Sequence, residues 1–121
     1  RTVKEVTWLV PGARGAQQML QTFIDERLKT YGTERNDPNK NALSHLSPYL
    51  HFGQLGAQAA VLTVKRANKH HSSADSFVEE CVVRRELSDN FCYYNNAHYD
   101  SLEGCYAWAK ETLAVHSTDV R

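Results

Sequence analysis

Apolar residues with helical spacing are the feature that most constrains the fold of this chain. After Pro11-Gly12 they recur three and four residues apart, at Ala16, Met19, Leu20, Phe23, Ile24, Leu28 and Tyr31. This spacing places them on one face of an α-helix of about five turns. An apolar face of that length must be covered, so we expect the helix to pack against other parts of the chain.

The same spacing predicts further helices along the rest of the chain. They are a short helix at residues 48–52, a second at 57–69, a long helix at 74–94 and a last one around residues 106–113. Ser72 or Ser73 is expected to cap the long helix, and Asp100 with Glu103 resembles a capping box. Only residues 6–10 show a trace of strand-like alternation, so the predicted fold class is all-α.

The long predicted helix is expected to bury one side. That side would contain Phe77, Val78, Cys81, Val82, Leu87 and Phe91. Aromatic residues at helical spacing are usually core residues, and we interpret the following ones in that way: Tyr93, Tyr94, Tyr99, Tyr106 and Trp108.

Composition excludes several classes of function. The chain has 121 residues, which is enough for one domain. Its 14 Lys and Arg balance its 14 Asp and Glu, so the net charge does not indicate nucleic-acid binding. A local basic patch that binds nucleic acid is still compatible with this composition. Three cysteines without C-x-x-C spacing favour small core residues in a reducing compartment over disulfides or zinc. A metal site at His70 and His71 is not expected, because no third metal ligand lies at a suitable spacing in the sequence. No signal peptide or membrane span is visible.

Residues 43–55, LSHLSPYLHFGQL, contain two serines and a proline in front of the short predicted helix. Ser47 followed by Pro48 is typical of a helix start, in which serine caps and proline occupies the first helical position. Alternatively, Ser44 and Ser47 face an anion, because the start of a helix carries free N–H groups and positive potential. The residues alone leave both interpretations open.

Four stretches together resemble a known family. The stretch SHLSPYL, residues 44–50, followed by Gly53, resembles the flavin-phosphate segment of the photolyase and cryptochrome superfamily. YGTERNDPN (31–39), VVRRELSDNFCYYN (82–95) and YDSLEGCYAWAKETL (99–113) resemble the class II cyclobutane pyrimidine dimer photolyases. The resemblance covers essentially the whole chain, and the motifs follow the family's order.

The resemblance implies a set of site residues. Those that match the family's FAD-binding positions are Tyr31, Leu43, Ser44, His45, Leu46 and Ser47. Many class II members have asparagine where this chain has His45, and serine is commoner where it has Gly56. We call residues 43–47 the serine segment.

Glu80 matches a glutamate that hydrogen-bonds the flipped pyrimidine dimer, and Arg84 and Arg85 lie on the helix that faces DNA in the family. From the pattern alone, these residues would form a solvated face with ion pairs between Glu80 and Arg84 and between Arg85 and Asp89. The resemblance favours catalysis for Glu80 and DNA binding for all three. The family's photoreducing tryptophans have no match in this chain.

The resemblance also implies the function. We expect light-dependent repair of pyrimidine dimers in ultraviolet-damaged DNA with FAD as cofactor, by a monomer without membrane attachment, intracellular and nuclear in a eukaryote. Residues 1–11 would be an interdomain segment and residues 12–121 the first part of a partial helical FAD-binding domain. The α/β antenna domain and the C-terminal remainder would be absent, and this chain alone would be inactive. A cryptochrome-like photoreceptor and a helical interaction module without catalysis remain alternatives.

Overall fold

A computed structural model describes residues 3–120 of the chain, and it shows helices joined by loops with no strand in that range. The all-α prediction is confirmed, whereas the strand-like trace at residues 6–10 is wrong. Helices α1 to α7 span Ala13–Thr22, Leu28–Glu34, Ser47–His51, Ala57–Ala67, His71–Val78, Arg85–Tyr94 and Ala107–Val115. Two π-helical turns, Phe23–Arg27 and Glu79–Arg84, and a 3-10 turn, Leu102–Gly104, complete the helical structure.

The first predicted helix is confirmed, but it contains a feature that the sequence pattern did not predict. Residues 13–34 are helical throughout, and the π-helical turn Phe23–Arg27 joins α1 to α2. A π turn inserts one extra residue into the helix and therefore changes which side chains face inwards.

The chain divides into two compact units, of which the first ends at Val83 and the second begins at Arg84. In the first unit, an aromatic cluster of Phe23, Tyr31 and Phe77 packs α2 against α5. The Phe23 ring centre lies 5.3 Å from that of Tyr31 and 5.2 Å from that of Phe77. Burial of a phenylalanine side chain contributes about 1.5–3 kcal/mol, so this cluster is a main source of stability for the unit.

Ser73 joins α2 to α5 at the close approach of Gly32. Its hydroxyl accepts a hydrogen bond from the Gly32 amide (3.1 Å) and donates one to the Lys29 carbonyl (3.3 Å). The prediction that Ser72 or Ser73 caps a helix from residue 74 is wrong, because α5 begins at His71 and its N-cap residue is His70, which adopts a left-handed backbone with φ 50°.

We expect Ser73→Ala to lower the free energy of unfolding by about 1–2 kcal/mol, because the Gly32 amide loses its buried acceptor. Ser72→Ala is the matched control, since Ser72 is exposed and one residue away. Urea denaturation of both variants measures the difference. An equal decrease of the free energy of unfolding in the two variants would contradict a stabilising role for the hydrogen bonds of Ser73.

The N-terminal residues of the first unit pack onto α1 and α3. The Val10 carbonyl accepts a hydrogen bond from the Tyr49 hydroxyl (2.9 Å), and the Gly12 amide donates to Oε1 of Gln54 (2.8 Å). A Cβ atom at Gly15 would overlap the Val10 carbonyl oxygen, so only glycine permits this approach.

The second unit exposes residues that the sequence pattern assigned to a core. Leu87 and Phe91 on α6 are exposed, as is Val82 at the end of the first unit, and none of residues 84–120 is buried. The core interpretation is also wrong for Tyr93, Tyr94, Tyr99, Tyr106 and Trp108, all of which are exposed. Two short helices and a 3-10 turn are too small to enclose a core.

Two smaller predictions for this unit also differ from the structure. Ser101, not Asp100, is the cap, and its hydroxyl accepts from the Glu103 amide at 3.3 Å. All three cysteines are free, as expected, but Cys92 and Cys105 are exposed and do not serve as core residues.

Candidate functional site

The serine segment forms the link between the turn after α2 and the start of α3. Leu46 is fully buried and anchors the segment in the core, whereas Leu43 and Ser47 are exposed. The Ser44 hydroxyl, which is partly buried, accepts from the Leu46 amide at 3.4 Å. The buried side chain of Leu46 therefore fixes the backbone of the segment, while the side chains of Ser44 and Ser47 lie at its surface.

Ser47 does not cap α3, contrary to the prediction. The helix begins at Ser47 itself, and the preceding residue, Leu46, already has helical backbone angles (φ −88°, ψ −13°). The Leu46 carbonyl accepts the hydrogen bond of the Leu50 amide, so the first turn closes one residue earlier than expected. Pro48 lies in the first turn, as predicted. No side-chain hydrogen bond caps this helix, and the Ser47 hydroxyl stays exposed.

His45 adopts a left-handed backbone conformation with φ 58°. Asparagine and histidine are among the residue types enriched in that region, so histidine is compatible with this backbone conformation. Its ring nitrogen Nε2 lies 3.0 Å from Oδ1 of Asn41, and its ring meets Trp8 edge-on at 5.4 Å. Burial and, after it, the charge of Arg27 lower the pKa of His45.

Arg27 is a residue of this site that the sequence analysis missed. Its Nε donates to the Leu43 carbonyl at 2.9 Å, although 16 residues separate the two in sequence. The available signal was its position four residues after Phe23 and three after Ile24, which places a charged side chain on the apolar face of the helix.

Glu80 lies within a second group of polar side chains in the first unit. Its Oε1 is 3.4 Å from Nε of Arg35, and Nη1 of Arg35 donates to the Gly32 carbonyl at 2.7 Å. This contact joins two residues that are 45 positions apart in the sequence. The guanidinium of Arg35 lies 5.8 Å from the ring centre of Tyr31.

Tyr31 is buried in the aromatic cluster beside this group. Burial and the neighbouring charge of Glu80 raise the pKa of Tyr31 to about 12. Burial also raises the pKa of the nearby Cys81 thiol. The Tyr31 hydroxyl and the Cys81 thiol are therefore both protonated at neutral pH.

Arg84 and Arg85 belong to the second unit, where both are exposed. Nε of Arg85 is 3.3 Å from Oδ2 of Asp89, so this predicted ion pair is present. An exposed pair of this kind contributes well under about 1 kcal/mol.

Two features are absent within residues 3–120. No group of three or more His, Cys, Asp and Glu side chains in this range could hold a metal ion. None of the helices described there has the length and apolar character needed to cross a bilayer.

Comparison with curated proteins reveals relatives over the full length of the chain. The chain is 55% identical to deoxyribodipyrimidine photo-lyase of Potorous tridactylus, with 100% of the chain and 23% of that protein covered. It is 49% identical to the Arabidopsis thaliana protein of the same name (98% and 25% covered) and 50% identical to that of Oryza sativa subsp. japonica (98% and 24%). No family model matches the chain.

These similarities, the all-α fold and the SHLSPYL motif define a helical segment of the photolyase and cryptochrome superfamily. Within it, the chain belongs to the photolyase family, and the animal and plant sources of these relatives fit the class II branch. The chain spans about a quarter of the length of these relatives.

We expect His45→Asn to keep the free energy of unfolding within about 0.5 kcal/mol, because asparagine tolerates the left-handed backbone. His45→Val removes the same ring contacts but adds a β-branched side chain that this backbone disfavours, at a cost of roughly 1–2 kcal/mol. Thermal unfolding of the pair isolates the backbone effect. Equal melting temperatures would contradict a left-handed residue 45.

Proposed function

We propose that this chain contributes the first part of the FAD-binding helical domain of a class II photolyase, with residues 1–11 as an interdomain segment. The parent activity is light-dependent repair of cyclobutane pyrimidine dimers in DNA. Identity of 49–55% to named photo-lyases along essentially the whole chain is the observation that carries this proposal. The name of these relatives favours repair over a photoreceptor. A DNA substrate implies an intracellular location, nuclear in a eukaryote.

The donor set of the serine segment fits the pyrophosphate of FAD. The segment offers two hydroxyls and contains no carboxylate, and the cation of Arg27 lies behind it. Hydroxyl donors and a nearby cation are groups that bind phosphate oxygens. Within the described range, no side-chain hydrogen bond uses the Ser47 hydroxyl, so it is available to a ligand.

Reduced FAD, when bound, supplies the light-driven electron that splits the dimer. The residues of this chain bind and orient the flavin and the DNA substrate. In the proposal, Ser44 and Ser47 hold the flavin phosphates, Tyr31 supports the pocket wall from the core, and Glu80 hydrogen-bonds the extruded pyrimidine dimer. Arg84 and Arg85 contact DNA. A damaged base pair costs less to extrude than a sound one, which provides part of the selectivity.

Flavin titration tests the binding proposal. We expect the chain to bind FAD saturably and the double variant Ser44→Ala, Ser47→Ala to lose at least about tenfold in affinity, as expected for hydrogen bonds to a charged group. Fluorescence anisotropy of FAD is the measurement. Ser72→Ala, which changes an exposed serine elsewhere, is the control and should bind normally. Absence of FAD binding by the unaltered chain, or equal affinity for FAD in the double variant, would contradict phosphate binding by the serine segment.

Variants at Glu80 test the substrate contact. Glutamine can still accept from Arg35 and can donate to a pyrimidine carbonyl, so Glu80→Gln should keep repair within about threefold, which equals less than 1 kcal/mol. Glu80→Ala removes both contacts and should reduce repair by roughly tenfold or more. Repair of a dimer-containing oligonucleotide under light is measured in a form of the protein that shows activity. Equal collapse of both variants would count against a hydrogen-bonding role.

A further inference from the structure

Arg27 is a buried cation on the apolar face of the helical stretch 13–34. Only 8% of its surface is exposed, and it ends the π-helical turn Phe23–Arg27. Phe23, Ile24 and Leu28 are buried on the same face. The π turn thus places a guanidinium among apolar side chains, where a charge is costly unless it is paired.

The partners of this guanidinium neutralise its charge only weakly. Nη2 lies 3.5 Å from the sulfur of Met19, which is a weak acceptor. Nη1 lies 3.6 Å from Oε2 of Glu26, whose side chain is 68% exposed and therefore well screened by water. The short contact is that of Nε with the Leu43 carbonyl at 2.9 Å, which is neutral.

The Leu43 carbonyl is the first peptide group of the serine segment. Two further interactions fix the residues that follow it: the Leu46 amide donates to the Ser44 hydroxyl, and His45 is held by Asn41 in its left-handed conformation. Arg27 also contributes, after burial, to the lowered pKa of His45, so its charge reaches the segment. Arg27 therefore combines a fixed hydrogen bond to the segment with a largely uncompensated positive charge beneath it.

We infer that Arg27 is a positioning residue for flavin phosphate: it holds the Leu43 carbonyl so that Ser44 and Ser47 present their hydroxyls in one geometry, and its charge favours the pyrophosphate. This inference rests on the proposed function. Arg27 acts through the segment and not as a ligand of the flavin ring. Lysine would keep the charge but not the planar fork that serves Leu43 and Met19 together.

The test compares Arg27→Gln and Arg27→Lys with Arg66→Gln, which removes an exposed cation from α4. The first readout needs no flavin: amide hydrogen exchange of Leu46, measured by NMR. We expect Arg27→Gln to raise this exchange rate by about tenfold while the amide of Phe77 in α5 stays protected, because local opening is confined to the serine segment. Arg66→Gln should change neither rate.

The second readout is affinity for FAD by fluorescence anisotropy. We expect a loss of about tenfold or more for Arg27→Gln and a smaller loss for Arg27→Lys, since charge and hydrogen bond contribute separately. Unchanged Leu46 exchange, or faster exchange of Leu46 and Phe77 alike, would overturn the positioning role. Undiminished FAD affinity in Arg27→Gln would overturn the link to phosphate. Failure of the unaltered chain to bind FAD would overturn the phosphate-binding role of the serine segment, and this inference with it, whereas the proposed parent activity rests on the identity to named photo-lyases.

Discussion

One buried face of the helical stretch 13–34 supports both parts of the candidate site. Phe23 and Tyr31 pack this face against Phe77 of α5, and Arg27, between them in the sequence, reaches the serine segment. One turn beyond Tyr31, Arg35 pairs with Glu80. The proposed flavin segment and the proposed substrate residue are therefore both held by this helical stretch and the residue that follows it, through apolar burial and the long-range contacts of Arg27 and Arg35.

Helical periodicity predicted the class of the fold and most helices to within a few residues. Periodicity succeeds as a predictor because the apolar face of a helix is buried where another part of the chain packs against it. The same argument failed for Leu87 and Phe91 on α6, since their unit does not enclose a core. Periodicity tells which side chains share a face, but not how much of the chain is available to cover that face.

The family motifs identified the candidate residues, but not the interactions that hold them. Arg27 was missed because a charged side chain is expected to face solvent, and nothing local predicts its hydrogen bond to Leu43, 16 residues away. The contact between Glu80 and Arg35 was missed for the same reason, because packing of α2 on α5 brings Arg35 near Glu80. Contacts that depend on tertiary packing lie beyond sequence spacing.

The central claim is that the serine segment holds flavin phosphate on a support provided by Arg27. A crystal structure of the protein with FAD tests it most directly. The account predicts phosphate oxygens within about 3.2 Å of the Ser44 or Ser47 hydroxyl, with the bond from Arg27 to the Leu43 carbonyl intact. Phosphates bound elsewhere, with both hydroxyls in solvent or with Arg27 turned away from Leu43, would contradict it.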